Sequence, residues 1–113
     1  MIERMYAEYA WEKTETLLSI DSPSGYTEKA ASWVKEAFEK LGFSARITAK
    51  GGVLADLGGE DENDGLLLEA HADTLGGMVA QIKGNGRLRL TALGGMNPNN
   101  GEAENVWVYT RSG

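Results

Sequence analysis

The chain contains a single histidine, His71, which stands two residues before Asp73 in the segment LLLEAHADTLGGMV at residues 66–79. Residues two apart on a β-strand point to the same face, so the α-carbons would lie about 7 Å apart and the side chains could touch or share a ligand. An imidazole that binds a metal usually donates its other ring N–H to a carboxylate or a carbonyl. Asp73 could be that carboxylate, or it could bind the metal itself.

The plain alternative for this pair is a histidine at a strand end that hydrogen-bonds a local aspartate and binds nothing else. From the three letters H-x-D alone, this plain interpretation is the favoured one. The position favours a ligand site, because an apolar run precedes the pair, TLGG follows it, and open α/β sheets bind ligands at the carboxyl ends of their strands.

Other candidate sites are weaker. The acidic residues Glu60, Glu62 and Asp64 resemble the start of a calcium loop, but His71 stands where a bidentate glutamate is needed, so we interpret the segment as a solvated turn. No G-x-S-x-G motif supports a serine nucleophile, and Ser24, in SPSG, is interpreted as a turn residue. The chain has no cysteine, which excludes disulfides and thiolate metal sites.

The elements that must position His71 begin with two predicted helices. Residues 3–20 carry apolar side chains at three- and four-residue steps among charges, which predicts an amphipathic helix. Pro23 and Gly25 then favour a turn. A second helix is predicted from about residue 27 to about residue 41, with one apolar face and with Gly42 as its stop.

After the second helix the pattern changes to the alternation that is typical of strands. The predicted strands, in chain order, are FSARITA, VLADL, LLLEAHAD, MVAQIK, RLRLTAL and VWVYT. LLLEAHAD has a continuous apolar start, which favours a sheet that is buried on both faces. VWVYT is followed only by a turn-like segment ending at Gly113. We therefore expect a truncated chain that ends before its architecture is complete.

Composition narrows the classes of function. A length of 113 residues with 42% apolar residues fits one small domain or part of one. A net charge of −6 offers no basic surface, so no nucleic-acid partner is expected. No apolar run is long enough to span a bilayer, and no signal-peptide core is found, which predicts a cytoplasmic protein with no membrane partner.

Several blocks of the sequence, taken in order, resemble the amino-terminal part of one enzyme family. These blocks are PSGYTEK, GGVLADL, AHADTLG, LGGMNP and GEAENVWVYT. They are similar to the dinuclear-metal aminopeptidases of the glutamyl aminopeptidase and tetrahedral aminopeptidase type, which are often called endoglucanase-like. The resemblance covers essentially the whole chain.

The resemblance implies a site and a reaction. It makes His71 a ligand of one of two divalent metal ions, zinc or cobalt, and Asp73 the catalytic-site residue that holds His71 in orientation. Two such metals activate water for hydrolysis of the amino-terminal residue of a peptide substrate. The family's other ligands and its general base come from sequence beyond residue 113. We therefore expect the isolated chain to bind metal weakly or not at all and to be inactive.

The resemblance also implies a fold. The expected α/β architecture consists of two amino-terminal helices and a mixed sheet from a zinc-peptidase-like catalytic domain at residues 1–83. The opening strands of an inserted β-rich dimerisation domain would follow at residues 84–113. Both parts would be incomplete, so unpaired strand edges should favour a homo-oligomer.

Two alternatives to the aminopeptidase stay open. The chain could be a non-catalytic assembly or regulatory module that uses its exposed sheet edges as an interface. It could also be a small structural α/β domain in which His71 is merely hydrogen-bonded.

Overall fold

A computed structural model describes residues 1–113, which divide into two units, residues 1–74 and residues 75–113. The division falls just after the predicted site residues His71 and Asp73. The predicted boundary between a catalytic and a dimerisation domain, after residue 83, stays a prediction about the family's domain organisation.

The first unit begins with the two predicted helices, and both are confirmed. Helix α1 spans Ile2–Leu18 and helix α2 spans Glu28–Lys40. Helix α2 ends as its sequence predicts: Gly42 has a φ of 91°, and its N–H donates to the Glu39 carbonyl while the Phe43 N–H donates to the Phe38 carbonyl. This pair of bonds is a Schellman motif, which favours glycine because an L side chain is strained at positive φ.

A hairpin follows the helices in the first unit. Strand β1, Ser44–Ile47, pairs antiparallel with strand β2, Val53–Asp56. Helix α2 packs against both strands, and the buried apolar residues Ala30 and Ala31 lie on this helix. The small core of the first unit therefore sits on the inner face of α2, while helix α1 has no buried residue.

The predicted strand LLLEAHAD is wrong. Residues 66–73 belong to no strand, and the nearest pairing is an isolated parallel bridge between Pro23 and Thr74. Leu66, Leu67 and Leu68 are 86%, 70% and 77% exposed. The physical reason is that apolar residues favour a strand only where a neighbouring strand supplies hydrogen bonds and a sheet face, and nothing in the described chain pairs with this segment.

The second unit contains the predicted second hairpin. Strand β3, Gly76–Ile82, pairs antiparallel with strand β4, Leu88–Leu93, with a register shift between Val79 and Gln81. Gly86 has a φ of 81° in the connecting turn. A short 3₁₀-helix, η1, covers Pro98–Gly101.

The predicted last strand, VWVYT, is also wrong. Residues 106–110 form no strand, and Trp107 is 85% exposed. The predicted α/β class is confirmed, but the mixed sheet is not: the structure has two separate antiparallel sheets of two strands each. Both corrections have one cause: every strand that formed pairs in a local hairpin, whereas the missing strands would need distant partners, and the one distant pairing is the isolated bridge between Pro23 and Thr74. No helix of the described residues is both long and apolar enough to cross a membrane.

Candidate functional site

The candidate site is built where the turn after helix α1 meets the segment that carries His71. The turn is closed by a hydrogen bond from the Tyr26 N–H to the Pro23 carbonyl, at 2.8 Å. Gly25, at its third position, has a φ of 88°, as a type II turn requires. The sequence therefore predicted this turn correctly, and the turn fixes the direction in which Ser24 leaves the backbone.

Ser22 ties this turn to the segment around Asp73. Its hydroxyl donates to the Ala72 carbonyl at 3.0 Å, and its own carbonyl accepts from the Thr74 N–H at 2.8 Å. Only 1% of Ser22 is exposed, and its buried hydroxyl is not left without a hydrogen-bond partner. A buried polar group with partners holds geometry well, because leaving the partners unpaired is costly.

His71 and Asp73 lie in contact, although the strand that was the basis for predicting a contact does not form. The His71 Nδ1 atom is 3.2 Å from Asp73 Oδ1 and 3.1 Å from the Asp73 carbonyl oxygen. The carbonyl oxygen and the ionised carboxylate oxygen can only accept hydrogen bonds. Nδ1 is therefore the atom that carries the proton and donates. In the neutral ring Nε2 then holds the lone pair. The His71 side chain is 86% exposed, so a ligand can reach it.

The second carboxylate oxygen of Asp73 is also bound. The Ser24 hydroxyl donates to Asp73 Oδ2 at 2.6 Å, a length typical of a charge-assisted O–H···O⁻ bond. This bond is the main reason that the pKa of Asp73 lies below its ordinary value, and the hydrogen bond from His71 lowers the pKa further. Asp73 is thus a carboxylate held in its ionised form by a partner on each oxygen.

The structure brings together the two predicted site residues and adds one that the sequence interpretation missed. Ser24 was interpreted only as a turn residue, yet it also contacts Asp73. The two residues are 49 positions apart, and a serine in a turn motif carries no signal of a distant carboxylate partner. The acidic residues Glu60, Glu62 and Asp64 lie in an exposed loop, as predicted for a solvated turn.

Of the residues at this site, His71 has the arrangement expected of a metal ligand. His71 offers an exposed nitrogen lone pair, and the opposite ring nitrogen is bound to a carboxylate, which is the usual arrangement of a metal-binding imidazole. No group of three or more histidine, cysteine, aspartate or glutamate residues within residues 1–113 is placed to hold a metal ion. Within residues 1–113 this site therefore offers fewer than three such side chains.

Comparison with known proteins gives the family. The M42 glutamyl aminopeptidase family matches residues 51–113, more than half of the chain, and the matched range includes His71 and Asp73. The chain belongs to this family of peptidases, which confirms the resemblance found in the sequence. Ser24 lies outside the matched range.

Two relatives match nearly the whole chain. YhfE of Bacillus subtilis (strain 168), which is named as an aminopeptidase, is 36% identical over 102 residues, or 90% of this chain. The glutamyl aminopeptidase of Lactococcus lactis subsp. cremoris (strain MG1363) is 29% identical over 104 residues, or 91% of this chain. The chain spans 30% of the length of the first relative and 29% of the second.

Proposed function

We propose that this chain supplies His71 as a metal ligand, and Asp73 as the residue that orients it, to a metal-dependent aminopeptidase. Membership of the M42 glutamyl aminopeptidase family and the aminopeptidase names of two relatives support the activity. The main support for these two roles is the contact of His71 Nδ1 with Asp73. With the proton on Nδ1, the lone pair of Nε2 is left to bind a metal.

The proposed reaction is removal of the amino-terminal residue from a peptide. A centre of two divalent ions, zinc or cobalt, supplies Lewis-acid polarisation of the scissile carbonyl and activation of water. His71 would hold one ion through Nε2. Asp73, by accepting the Nδ1 proton, would fix the tautomer and raise the basicity of the imidazole. The remaining donors and the general base would come from segments that the described chain does not contain.

A chimera tests these roles. The 104 residues of this chain that match the Lactococcus lactis glutamyl aminopeptidase would replace their counterparts in that enzyme, and hydrolysis of a glutamyl p-nitroanilide would be measured with added zinc or cobalt. We expect an active chimera. His71→Ala should abolish turnover, and Asp73→Asn should reduce activity or metal affinity roughly 10- to 100-fold.

A matched control separates a lost ligand from a lost fold. Glu69→Gln changes an exposed acidic side chain of the same segment and should leave turnover and the circular dichroism spectrum unchanged. Full activity of His71→Ala in an equally folded chimera would refute the metal-ligand role and favour the structural interpretation of this histidine.

A second candidate function, assembly through exposed sheet edges, is favoured by a separate observation. Each sheet has only two strands, so each strand has one unpaired edge, and Leu66, Leu67 and Leu68 are exposed. Open edges and apolar patches favour pairing between chains. We propose that the chain self-associates into a homo-oligomer. Light scattering coupled to size exclusion tests this proposal, and a monodisperse monomer over the micromolar range would contradict it.

A further inference from the structure

The carboxylate of Asp73 can orient His71 only if the carboxylate is itself held. Its side chain is 43% exposed, and a surface aspartate with a single hydrogen-bond partner can rotate about its side-chain bonds and exchange that partner for water. The second oxygen, Oδ2, is therefore the atom that decides whether Oδ1 stays opposite His71.

Ser24 occupies that second oxygen. Its hydroxyl donates to Asp73 Oδ2 at 2.6 Å, while Oδ1 lies 3.2 Å from His71 Nδ1. The carboxylate is thus bound on both sides, by a hydroxyl and by an imidazole. Bonds on two oxygens remove the rotational freedom that a single bond leaves, which is how an outer hydrogen-bond partner orients a ligand.

Ser24 is itself held by the backbone around it. Its neighbour Ser22 bonds both the Ala72 carbonyl and the Thr74 N–H, and Gly25 closes the turn at a φ of 88°. The turn and the segment of residues 72–74 are therefore joined on either side of Asp73. The backbone therefore holds the Ser24 side chain at a fixed position relative to the carboxylate that it contacts.

The order of contacts shows which role Ser24 can have. In a serine-nucleophile triad the imidazole lies between the hydroxyl and the carboxylate and removes the hydroxyl proton. Here the carboxylate lies between the hydroxyl and the imidazole, and Ser24 donates to an acceptor that already carries negative charge. This arrangement stabilises a carboxylate and does not activate a hydroxyl.

We propose that Ser24 is a positioning residue of the His71 site: its hydroxyl fixes the Asp73 carboxylate, and the carboxylate, beside the Asp73 carbonyl, favours the proton on Nδ1 and the lone pair on Nε2. The purpose of this arrangement, which is metal binding by His71, rests on the proposed function. The arrangement itself is testable without metal or peptide, so its failure and a failure of the proposed function are distinguishable.

The direct test is the tautomer of the imidazole. His71 is the only histidine of the chain, so long-range ¹H–¹⁵N correlation spectra of the 113-residue chain report on this ring alone. The spectra are recorded at mildly alkaline pH, and they distinguish the two neutral tautomers of the ring. We expect the wild type to favour the proton on Nδ1.

Three variants test whether the tautomer ratio depends on the Ser24 hydroxyl. Ser24→Ala removes the hydroxyl, and the ratio of the Nδ1-protonated to the Nε2-protonated tautomer should fall roughly 2- to 10-fold, the range that the net value of one hydrogen bond allows. Ser24→Thr keeps a hydroxyl and should keep the ratio near that of the wild type. Ser19→Ala removes a hydroxyl that bonds only the end of helix α1 and should leave the ratio unchanged.

A second measurement needs no variant. Scalar couplings across the Cα–Cβ bond of Asp73 in the wild-type chain should show one staggered rotamer, because both carboxylate oxygens are bound. Averaging over several rotamers would overturn the proposal even if Ser24→Ala does not fold. An unchanged tautomer ratio in a folded Ser24→Ala chain would overturn it as well.

Discussion

Replacing Ser22 by alanine should loosen the junction on which the candidate site depends. The Ser22 hydroxyl donates to the Ala72 carbonyl at 3.0 Å, and only 1% of the residue is exposed. Alanine has nearly the same shape and adds no clash, so the substitution isolates the loss of one hydrogen bond. The carbonyl that loses its donor belongs to an exposed residue, Ala72, so water can replace the donor in part.

This access to water decides how much stability the Ser22→Ala substitution costs. An acceptor left fully buried and unpaired would cost as much as about 3 kcal/mol, whereas the net value of a replaceable hydrogen bond is about 1 kcal/mol. We expect the lower figure. Because the Thr74 N–H donates to the Ser22 carbonyl, the loss should appear as easier opening at Thr74, with roughly fivefold faster exchange of its amide hydrogen for a cost of about 1 kcal/mol.

Native-state hydrogen exchange followed by NMR measures this change residue by residue. Ser32→Ala serves as the control, because Ser32 is an exposed serine on helix α2 and its removal should leave Thr74 unaffected. If the Thr74 amide exchanged at the wild-type rate in Ser22→Ala, the hydroxyl of Ser22 would contribute nothing to the junction and the reasoning would be refuted.

Three other outcomes follow from the structure. Gly25→Ala should destabilise the first unit by about 1–2 kcal/mol in urea unfolding, since alanine is strained at a φ of 88°, whereas Gly65→Ala, at ordinary φ and in open space, should be nearly neutral. The Ser24 hydroxyl holds the pKa of Asp73 below its ordinary value, so any stability that the ionised form provides is present above that ordinary value and is lost as the pH falls through the folded-state pKa. A ¹³C titration of Ser24→Ala should show this pKa raised toward the ordinary value. Zinc titrated calorimetrically into the 113-residue chain should bind weakly, because His71 has few donors near it, and tight stoichiometric binding would contradict this expectation.

The elements that the sequence predicted correctly are those whose causes are local. The amphipathic pattern of α2 and its stop at Gly42 need only neighbouring residues, and so do the β1–β2 and β3–β4 hairpins. The predicted strand at residues 66–73 was wrong, because strand formation depends on a partner and its apolar composition alone could not provide one.

The sequence by itself determined the family resemblance. It also predicted that His71 and Asp73 could touch, and they do, although the strand from which that prediction was made does not form. The roles of these residues as ligand and catalytic-site residue stay predictions. Tertiary structure alone decided that Ser24 meets Asp73, since the two lie 49 residues apart. That contact exists because a buried serine, Ser22, joins two distant segments, and spacing along a chain does not reveal which segments the backbone will bring together.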